Sequence, residues 1–309
     1  MRVVFMGTPD FAAGTLEEIL AAGHEVVLVV TQPDKPKGRR NTLTASPVKE
    51  CALAHNIPVY QPERVKKPEC IAYIRQFEPD IVIVAAFGQI LPGELLHMPK
   101  FGCINVHASL LPKYRGAAPI QWAVINGDDV AGITTMRMDE GLDTGDMIEQ
   151  EKIVLARDET GGSLFSRLAE TGAKLCVHTM QLIEEGKAVY TPQDASQATY
   201  VGMIQKQMGN IDWQQPAVVI ERLVRGLNPW PSAYTHMNGK VLKIWKAAAE
   251  AGGDPKKAGC VISVNKTACR VQTADGVLSL QEVQLEGKKR MDIEAFLRGY
   301  EIKEGMAFD

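Results

Sequence analysis

The sequence of 309 residues contains no uninterrupted apolar run of eighteen residues, and it therefore predicts no transmembrane helix. Its first residues, MRVVFMGTPDF, carry one arginine and a short apolar run that proline and aspartate soon interrupt, unlike a signal peptide. The six cysteines include no CxxC pair and no spacing typical of zinc ligands. These absences predict a reduced, cytoplasmic protein that uses no metal and has no membrane partner.

Several widely used catalytic and nucleotide-binding motifs are also missing. The first apolar run is followed by MGTPDF rather than GxGxxG, so the sequence does not support a dinucleotide site. We find no Walker motif, no HExxH and no GxSxG. The sequence therefore offers no motif for P-loop nucleotide, zinc-peptidase or serine-hydrolase chemistry.

The composition is that of a globular protein, 45% hydrophobic and 23% charged, with a length that suits two domains. Residues 1–205 hold 19 basic and 25 acidic side chains, whereas residues 206–309 hold 15 and 12. Within the acidic part, the loop at 32–49 concentrates five basic residues around one aspartate. Such a patch can steer a polyanion to one place, although charge alone fits a solvated loop better.

Apolar runs and amphipathic segments alternate through the first half of the chain. Continuous apolar runs at 3–7, 25–30, 80–87 and 103–108 are typical of parallel strands that are buried on both faces. Their alternation with helical segments predicts a doubly wound α/β sheet. Sheets of this type bind ligands at the carboxyl ends of their strands.

The second half follows a different pattern. A helix over about 163–185 closes the first domain, and short alternating runs punctuated by glycine and aspartate begin after residue 240. These runs predict a small antiparallel barrel or sandwich. We therefore predict a first domain at 1–189, a polar linker at 190–206 and a second domain at 207–309.

The segment GCINVHASLLPKYRG, 102–116, places Asn105 and His107 at the end of a predicted buried strand. Side chains at i and i+2 leave a strand on the same face, so the amide and the imidazole point the same way. Together they can polarise a carbonyl and move a proton, as acyl transfer to an amine requires. Cys103 shares this face, but nothing basic adjoins it, so we expect a buried small residue rather than a nucleophile.

An acidic loop, MDEGLDTGDMI at 138–148, supplies a possible partner for His107. It carries four carboxylates, Asp139, Glu140, Asp143 and Asp146. A carboxylate beside an imidazole fixes its tautomer and favours its protonated form. Spacing alone does not show which of the four would do this, and a solvated surface loop is the more usual meaning of such acids.

Seven segments together resemble the methionyl-tRNA formyltransferases, a family of 10-formyltetrahydrofolate-dependent enzymes. The matching motifs are FMGTPDFA (5–12), TQPDKPKGR (31–39), SPVK (46–49), INVHASLLPKYRGAAPIQWA (104–123), GLDTGDM (141–147), NPWP (228–231) and GKK (287–289). The combination of NVH and SLLP with GLDTGD marks the wider group of folate-dependent formyltransferases. The remaining motifs narrow the resemblance to the tRNA-directed family.

The resemblance implies a Rossmann-like formyltransferase domain followed by a smaller OB-like β-barrel domain. It implies a monomeric enzyme that moves a formyl group from 10-formyltetrahydrofolate to the α-amino group of methionyl-initiator tRNA. The family's catalytic asparagine, histidine and aspartate correspond to Asn105, His107 and Asp143, which selects one of the four acids.

The resemblance also implies binding residues. The folate wall and the pterin pocket correspond to Ser109, Leu110, Leu111, Pro112, Phe87, Gln89, Ile90, Leu91 and Asp139. For Leu110 and Leu111, core packing is an equally good explanation. The tRNA-contacting loop corresponds to Lys35, Lys37, Arg39 and Arg40.

Two other functions are compatible with parts of the sequence. A sugar-nucleotide formyltransferase would share the NVHxSLLP motif and the two-domain layout, but a small substrate does not require five basic residues in the 31–49 loop. A catalytically silent RNA-binding protein would not need the intact set of Asn105, His107 and Asp143.

Overall fold

The computed structural model describes residues 1–37 and 42–309, and the chain divides into two compact units. The first unit comprises Met1–Pro119, Ala131–Val154 and Phe165–Val201. The second comprises Ile120–Val130, Leu155–Leu164 and Gly202–Asp309. The first unit thus includes most of the segment 190–206 that the sequence indicated as a linker.

The helices and strands of the described chain alternate in the first half and are mainly strands in the second. The strands are β1 (Arg2–Gly7), β2 (Glu25–Val30), β3 (Lys35–Lys37), β4 (Thr42–Thr44), β5 (Val59–Tyr60), β6 (Ile81–Ala85), β7 (Cys103–His107), β8 (Arg115–Gly116), β9 (Val130–Arg137), β10 (Met147–Val154), β11 (Tyr200–Val201), β12 (Ala233–Met237), β13 (Lys240–Glu250), β14 (Val261–Val264), β15 (Cys269–Gln272), β16 (Val277–Leu285) and β17 (Met291–Asp292). The α-helices are α1 (Asp10–Ala21), α2 (Pro47–Ala54), α3 (Pro68–Arg75), α4 (Gly93–Leu96), α5 (Pro119–Asn126), α6 (Gly161–Glu184), α7 (Ala217–Gly226) and α8 (Ile293–Gly299).

The first unit is built on a seven-stranded sheet in the order β10-β9-β7-β6-β1-β2-β5. Strands β7, β6, β1, β2 and β5 are parallel to their neighbours in this series, and β9 pairs antiparallel with β7. The mostly parallel sheet predicted from the apolar runs is therefore confirmed. The strand order reverses between β1 and β6, and open α/β sheets bind ligands at the carboxyl ends of strands beside such a reversal.

Local sequence accounts for these elements. Every residue of β6 and β7 is buried, which explains why the sequence forms a continuous apolar run in each strand. Helix α1 covers the sheet with a buried apolar face that includes Leu16 and Ile19. Helix α2 begins after Ser46, whose hydroxyl accepts a hydrogen bond from the Lys49 N–H at 3.1 Å.

The second unit contains an antiparallel sheet in the order β12-β13-β16-β15-β14, with β17 paired to β16. Its core includes Trp213, Leu242, Leu280 and Phe296, all buried. The indole N–H of Trp213 donates to the hydroxyl of Thr235 at 3.1 Å, which satisfies the one polar group of this side chain. The short alternating runs thus correctly predicted an antiparallel sheet here.

Two short pairings complete the first unit. Strands β3 and β4 pair antiparallel at the basic loop, and β8 pairs parallel with β11. Among residues 1–37 and 42–309, no helix combines the length and the apolar character needed to cross a membrane.

Candidate active site

Asn105 and His107 lie at the carboxyl end of β7, where they are 8% and 7% exposed. Neighbouring strands flank them, with Val84 of β6 and Met136 of β9 opposite Asn105. Within the described chain, the Asn105 side chain makes no hydrogen bond to another residue. Its amide atoms are not among the fully buried polar atoms of the described residues, so they are accessible to a bound molecule.

The two ring nitrogens of His107 face two acceptors. Nε2 lies 3.0 Å from the carbonyl oxygen of Tyr114, and Nδ1 lies 3.7 Å from Oδ2 of Asp143. Because a carbonyl oxygen only accepts, the contact with Tyr114 requires a proton on Nε2, and in the neutral ring this leaves Nδ1 as the acceptor. The Asp143 contact is too long for a direct hydrogen bond but close enough to stabilise a charged imidazole ring.

The loop between β9 and β10 places Asp143 in this position. Asp143 has a φ of +54°, and its Oδ2 accepts a hydrogen bond from the Gly116 N–H at 2.8 Å. Asp139 organises the same loop, since its Oδ1 accepts from the Gly141 N–H at 3.1 Å and from the Thr144 hydroxyl at 2.6 Å. A side chain at Gly145 would place Cβ 1.8 Å from the carbonyl oxygen of Arg137, so this turn requires glycine.

Of the four acids in this loop, Asp143 is the one that the structure brings to the imidazole. Asp139, which the resemblance implied as a folate contact, is exposed and uses its carboxylate within the loop.

The segment 109–112, expected along the folate, is held by hydrogen bonds from β9. The hydroxyl of Thr134 donates to the Ser109 carbonyl at 2.6 Å and accepts from the Leu111 N–H at 3.1 Å. Ser109 and Leu111 are buried, whereas Leu110 and Pro112 are partly exposed. Sequence reasoning missed Thr134, which lies directly opposite His107 in the β7–β9 pairing.

The expected pterin segment, 87–91, offers little side-chain surface. Phe87 and Leu91 are buried in the core beside β6, and Gln89 accepts from the Val65 N–H at 2.7 Å. Ile90, by contrast, is 80% exposed. The structure thus leaves the backbone of this segment and the Ile90 side chain for contact with a ligand.

The basic loop is only partly within the described residues. Lys35 is exposed on β3, and Lys37 ends that strand, but Arg39 and Arg40 lie outside the described residues. The Lys49 ammonium lies 2.6 Å from Asp34, and this hydrogen bond lowers the pKa of the Asp34 carboxyl below its usual value. The single acid of the loop is therefore paired, and it neutralises one of the five basic charges locally.

Other candidate groups fall outside this site. All six histidines are described, and His107 is the buried one among them. Burial raises the pKa of the Cys103 thiol to about 12, which removes it as a nucleophile, as the sequence predicted.

One group among the described residues, Glu17, Cys51 and His55, brings possible metal-ligand atoms within 4.8 Å of one another. Sequence spacing did not indicate it, because its members come from two separate segments of the chain. The thiol of Cys51 donates to Glu17 at 3.1 Å, and burial raises its pKa to about 12, so a hydrogen-bonded packing contact accounts for the group.

Comparison with known proteins gives consistent matches over the whole chain. The profile of the formyl transferase family matches residues 1–180, and that of the formyl transferase C-terminal domain matches residues 203–301. A methionyl-tRNA formyltransferase of Agathobacter rectalis is 63% identical over 308 residues, covering 100% of this chain and 99% of its own. A methionyl-tRNA formyltransferase of Lachnospira eligens is 53% identical over 311 residues, covering 99% of each chain.

Solved structures share the fold at much lower identity. The sugar 3N-formyl transferase WlaRD, crystallised in the presence of dTDP and 5-N-formyl-THF, superposes with a TM-score of 0.67. It is 20% identical and covers 94% of this chain and 99% of its own. With matches to both domain profiles and to relatives along its full length, this chain belongs to the formyl transferase family.

Proposed function

We propose that the protein transfers the formyl group of 10-formyltetrahydrofolate to the α-amino group of methionine esterified to initiator tRNA. Its enzymatic class follows from the family, and the substrate is the one named for relatives that are 63%, 53% and 48% identical. The observation that carries the mechanism is the juxtaposition, at the end of β7, of the Asn105 amide, which has no hydrogen-bond partner among the described residues, with the His107–Asp143 pair.

The chemistry is within the capacity of these residues. A free α-amine has a reference pKa of roughly 7.7–8.0, so a useful fraction is unprotonated near neutral pH and can attack the formyl carbon directly. No covalent bond to the protein is required. The difficult steps are stabilising the oxygen that becomes negative and moving a proton from the attacking amine to the departing nitrogen.

We propose that Asn105 stabilises the oxygen that becomes negative and that His107 carries the proton from the attacking amine to the departing nitrogen. The Asn105 N–H groups are available to donate to a developing oxyanion, which removes a large part of the barrier to acyl transfer. The Nε2–H of His107 is engaged by Tyr114, so the proton is taken up and released at Nδ1. Asp143, 3.7 Å away, stabilises the imidazolium while it holds that proton.

We propose that the folate lies along 109–112 and that its pterin contacts the 87–91 backbone and the 138–143 loop. The hydrogen bonds from Thr134 hold the first of these segments rigid, as a binding wall should be. The presence of a formylated folate in WlaRD crystals supports a folate donor for this fold. We propose no metal for the reaction, since a preorganised amide and imidazole suffice.

For the tRNA, we propose contacts from Lys35, Lys37, Arg39 and Arg40 and from the second unit. Basic side chains outnumber acidic ones, 15 to 12, over residues 206–309, which favours the approach of a phosphate backbone. We propose that the antiparallel sheet of this unit is an OB-like barrel, and that the protein acts as a monomer in the cytoplasm.

The competing candidate is transfer to an amino-sugar nucleotide, which the WlaRD likeness brings into consideration. Its 20% identity is far below the 63% of the tRNA-directed relative. We expect that the protein, given 10-formyltetrahydrofolate, formylates charged initiator tRNA and leaves a dTDP-amino sugar unchanged at equal concentration. Turnover of the sugar without turnover of the tRNA would replace the proposed function with this alternative.

A further inference from the structure

Arg115 and Gln193 form a hydrogen-bonded pair in the first unit, next to the residues that contact His107. Arg115 is only 4% exposed, and its guanidinium donates to Oε1 of Gln193 from Nε at 3.1 Å and from Nη2 at 2.8 Å. A third N–H, on Nη1, donates to the hydroxyl of Tyr200 at 3.0 Å. A buried guanidinium is costly unless its N–H groups are satisfied, so these bonds hold the side chain in one position.

The other end of the Gln193 amide contacts the loop that carries Asp143. Nε2 donates to the carbonyl oxygen of Asp143 at 2.8 Å and to that of Gly145 at 2.8 Å. The orientation of this amide follows from its partners, because a guanidinium only donates and carbonyls only accept. Gln193 therefore ties a buried cation to the backbone of the acidic loop.

Residues 114–116 contact both the acidic loop and the imidazole through their backbone. The Tyr114 carbonyl accepts from His107 Nε2, and the Gly116 N–H donates to the Asp143 carboxylate. The backbone of this tripeptide thus contacts both His107 and Asp143, while the Arg115 side chain acts on the acidic loop through Gln193.

The acidic loop that carries Asp143 needs hydrogen bonds from outside the loop to hold its conformation. Asp143 has a φ of +54°, a conformation that residues with a side chain adopt at a cost of about 1–3 kcal/mol unless their surroundings hold them there. The Gln193 bonds secure the carbonyls of Asp143 and Gly145, and the Gly116 bond secures the carboxylate itself.

We infer that Gln193, oriented by Arg115, is a positioning residue that sets the Asp143 carboxylate opposite Nδ1 of His107. The inference rests on the proposed function, because it concerns the rate of formyl transfer. It also gives a role to a residue in the segment 190–206, which the sequence indicated only as a linker.

The most discriminating substitution is Gln193→Glu, which keeps the size of the side chain and its acceptor for Arg115. It replaces the Nε2 donor with a carboxylate oxygen that faces two carbonyl oxygens, so the loop should be displaced while the Arg115 contact survives. We expect kcat for formyl transfer to fall by about tenfold to a hundredfold, since displacements near 1 Å can cost this much.

The test of action through Asp143 is the same substitution in an Asp143→Asn background. If Gln193 acts by positioning that carboxylate, Gln193→Glu should lower kcat by no more than about twofold in the Asp143→Asn protein. The reason is that the effects of two substitutions are not additive when both residues act through the same interaction. Should Gln193→Glu not fold, as circular dichroism would reveal, Gln193→Ala replaces it in both backgrounds and removes the same two donated hydrogen bonds.

Gln272 provides a matched control in the second unit. Its Nε2 donates to two carbonyls, those of Thr273 at 2.9 Å and Gly276 at 3.0 Å, while its Oε1 accepts from the Asp254 N–H at 2.9 Å. Gln272→Glu makes the same chemical change in a unit that holds none of the proposed catalytic residues, and we expect a lower Tm with an unchanged kcat.

Two results would overturn the inference: an unchanged kcat in folded Gln193→Glu, or an equal fractional loss in the wild-type and Asp143→Asn backgrounds. Absence of formyl transfer by the wild-type protein would instead overturn the proposed function on which the inference depends.

Discussion

The side chains that matter most for the proposed chemistry are those whose hydrogen bonds are incomplete within the protein. Asn105 lies at the end of a buried strand without a side-chain partner among the described residues, and Nδ1 of His107 faces a carboxylate at 3.7 Å. Ser109 and Gln89, by contrast, use their polar groups internally. This difference separates groups that can act on a substrate from groups that shape the site.

Removing the Asn105 amide should lower activity without a matching loss of stability. We expect Asn105→Ala to reduce kcat by about a hundredfold to a thousandfold, the usual effect of removing one oxyanion donor. Because this side chain makes no hydrogen bond to another of the described residues, Tm should change little. A variant with wild-type kcat, measured by formyl transfer to charged initiator tRNA, would refute this role.

Buried cysteines provide a prediction at the same scale. The pKa values of the Cys51, Cys103, Cys176 and Cys269 thiols are each raised to about 12, mainly by burial. A raised thiol pKa means less thiolate, roughly one part in ten thousand at pH 8, so native alkylation should be slow. Mass spectrometry after iodoacetamide treatment at pH 8 should find these four residues modified rapidly only in denaturant. Rapid native modification of Cys103 would contradict the buried strand described here.

Sequence patterns predicted helices and strands well where one periodicity dominates. The apolar runs that became β1, β2, β6 and β7 were recognisable because both faces of those strands are buried. Strand β10 was not recognised, since none of its residues is buried and three of the eight are charged, at an edge of the sheet. The β8–β11 pairing was also beyond prediction, because it joins two-residue segments that lie far apart in the sequence.

The residues of the candidate site also differ in how far the sequence alone predicts them. Asn105 and His107 could be predicted from i, i+2 spacing on one strand, whereas Asp143 required the family resemblance, since a loop conformation selects it from four acids. The roles of Arg115 and Gln193 were not predicted: Arg115 lies within the 104–123 motif but its side chain had no assigned function, and glutamine in a polar segment usually remains solvated.

The turn at Gly145 tests how far the acidic loop depends on its backbone. A Cβ there would lie 1.8 Å from the Arg137 carbonyl oxygen, so Gly145→Ala must move the loop. We expect a stability loss of about 1–3 kcal/mol and a lower kcat.

Gly14→Ala is the matched control for Gly145→Ala. Gly14 lies within α1, and a Cβ there would meet no atom within 4 Å. This substitution should raise stability by about 0.5–1 kcal/mol and leave kcat unchanged. Equal effects of the two alanines in thermal melts and rate assays would contradict the proposed role of the turn.

For the whole molecule, the sequence predicted two domains of different architecture, and the structure has an α/β unit and an antiparallel β unit. The proposed catalytic residues all lie in the first, so the chemistry itself does not explain a preference for tRNA. We therefore propose that selectivity comes from features outside the trio, chiefly the 31–49 loop and the second unit.

Reversing charge in the basic loop should weaken use of tRNA specifically. We expect Arg39→Glu with Arg40→Glu to raise KM for tRNA while KM for the folate stays constant. The salt dependence of tRNA use should become shallower by about 0.7–0.9 in log–log slope for each phosphate that the loop no longer neutralises.

The control for this double reversal is Lys174→Glu with Lys187→Glu, which changes net charge equally at exposed positions of the first unit. We expect its KM for tRNA to stay near that of the wild type. An unchanged KM in the Arg39 and Arg40 variant, or an equal rise in both variants, would refute a specific role for the loop.

The central claim is direct formyl transfer to a charged initiator tRNA by the residues at the end of β7. The most direct measurement follows labelled formyl from 10-formyltetrahydrofolate into methionyl-initiator tRNA, with wild-type protein and with His107→Ala. We predict rapid labelling of the α-amine by the wild type and a loss of about a hundredfold or more in His107→Ala. Labelling at equal rates by the two proteins, or none by the wild type, would contradict the account.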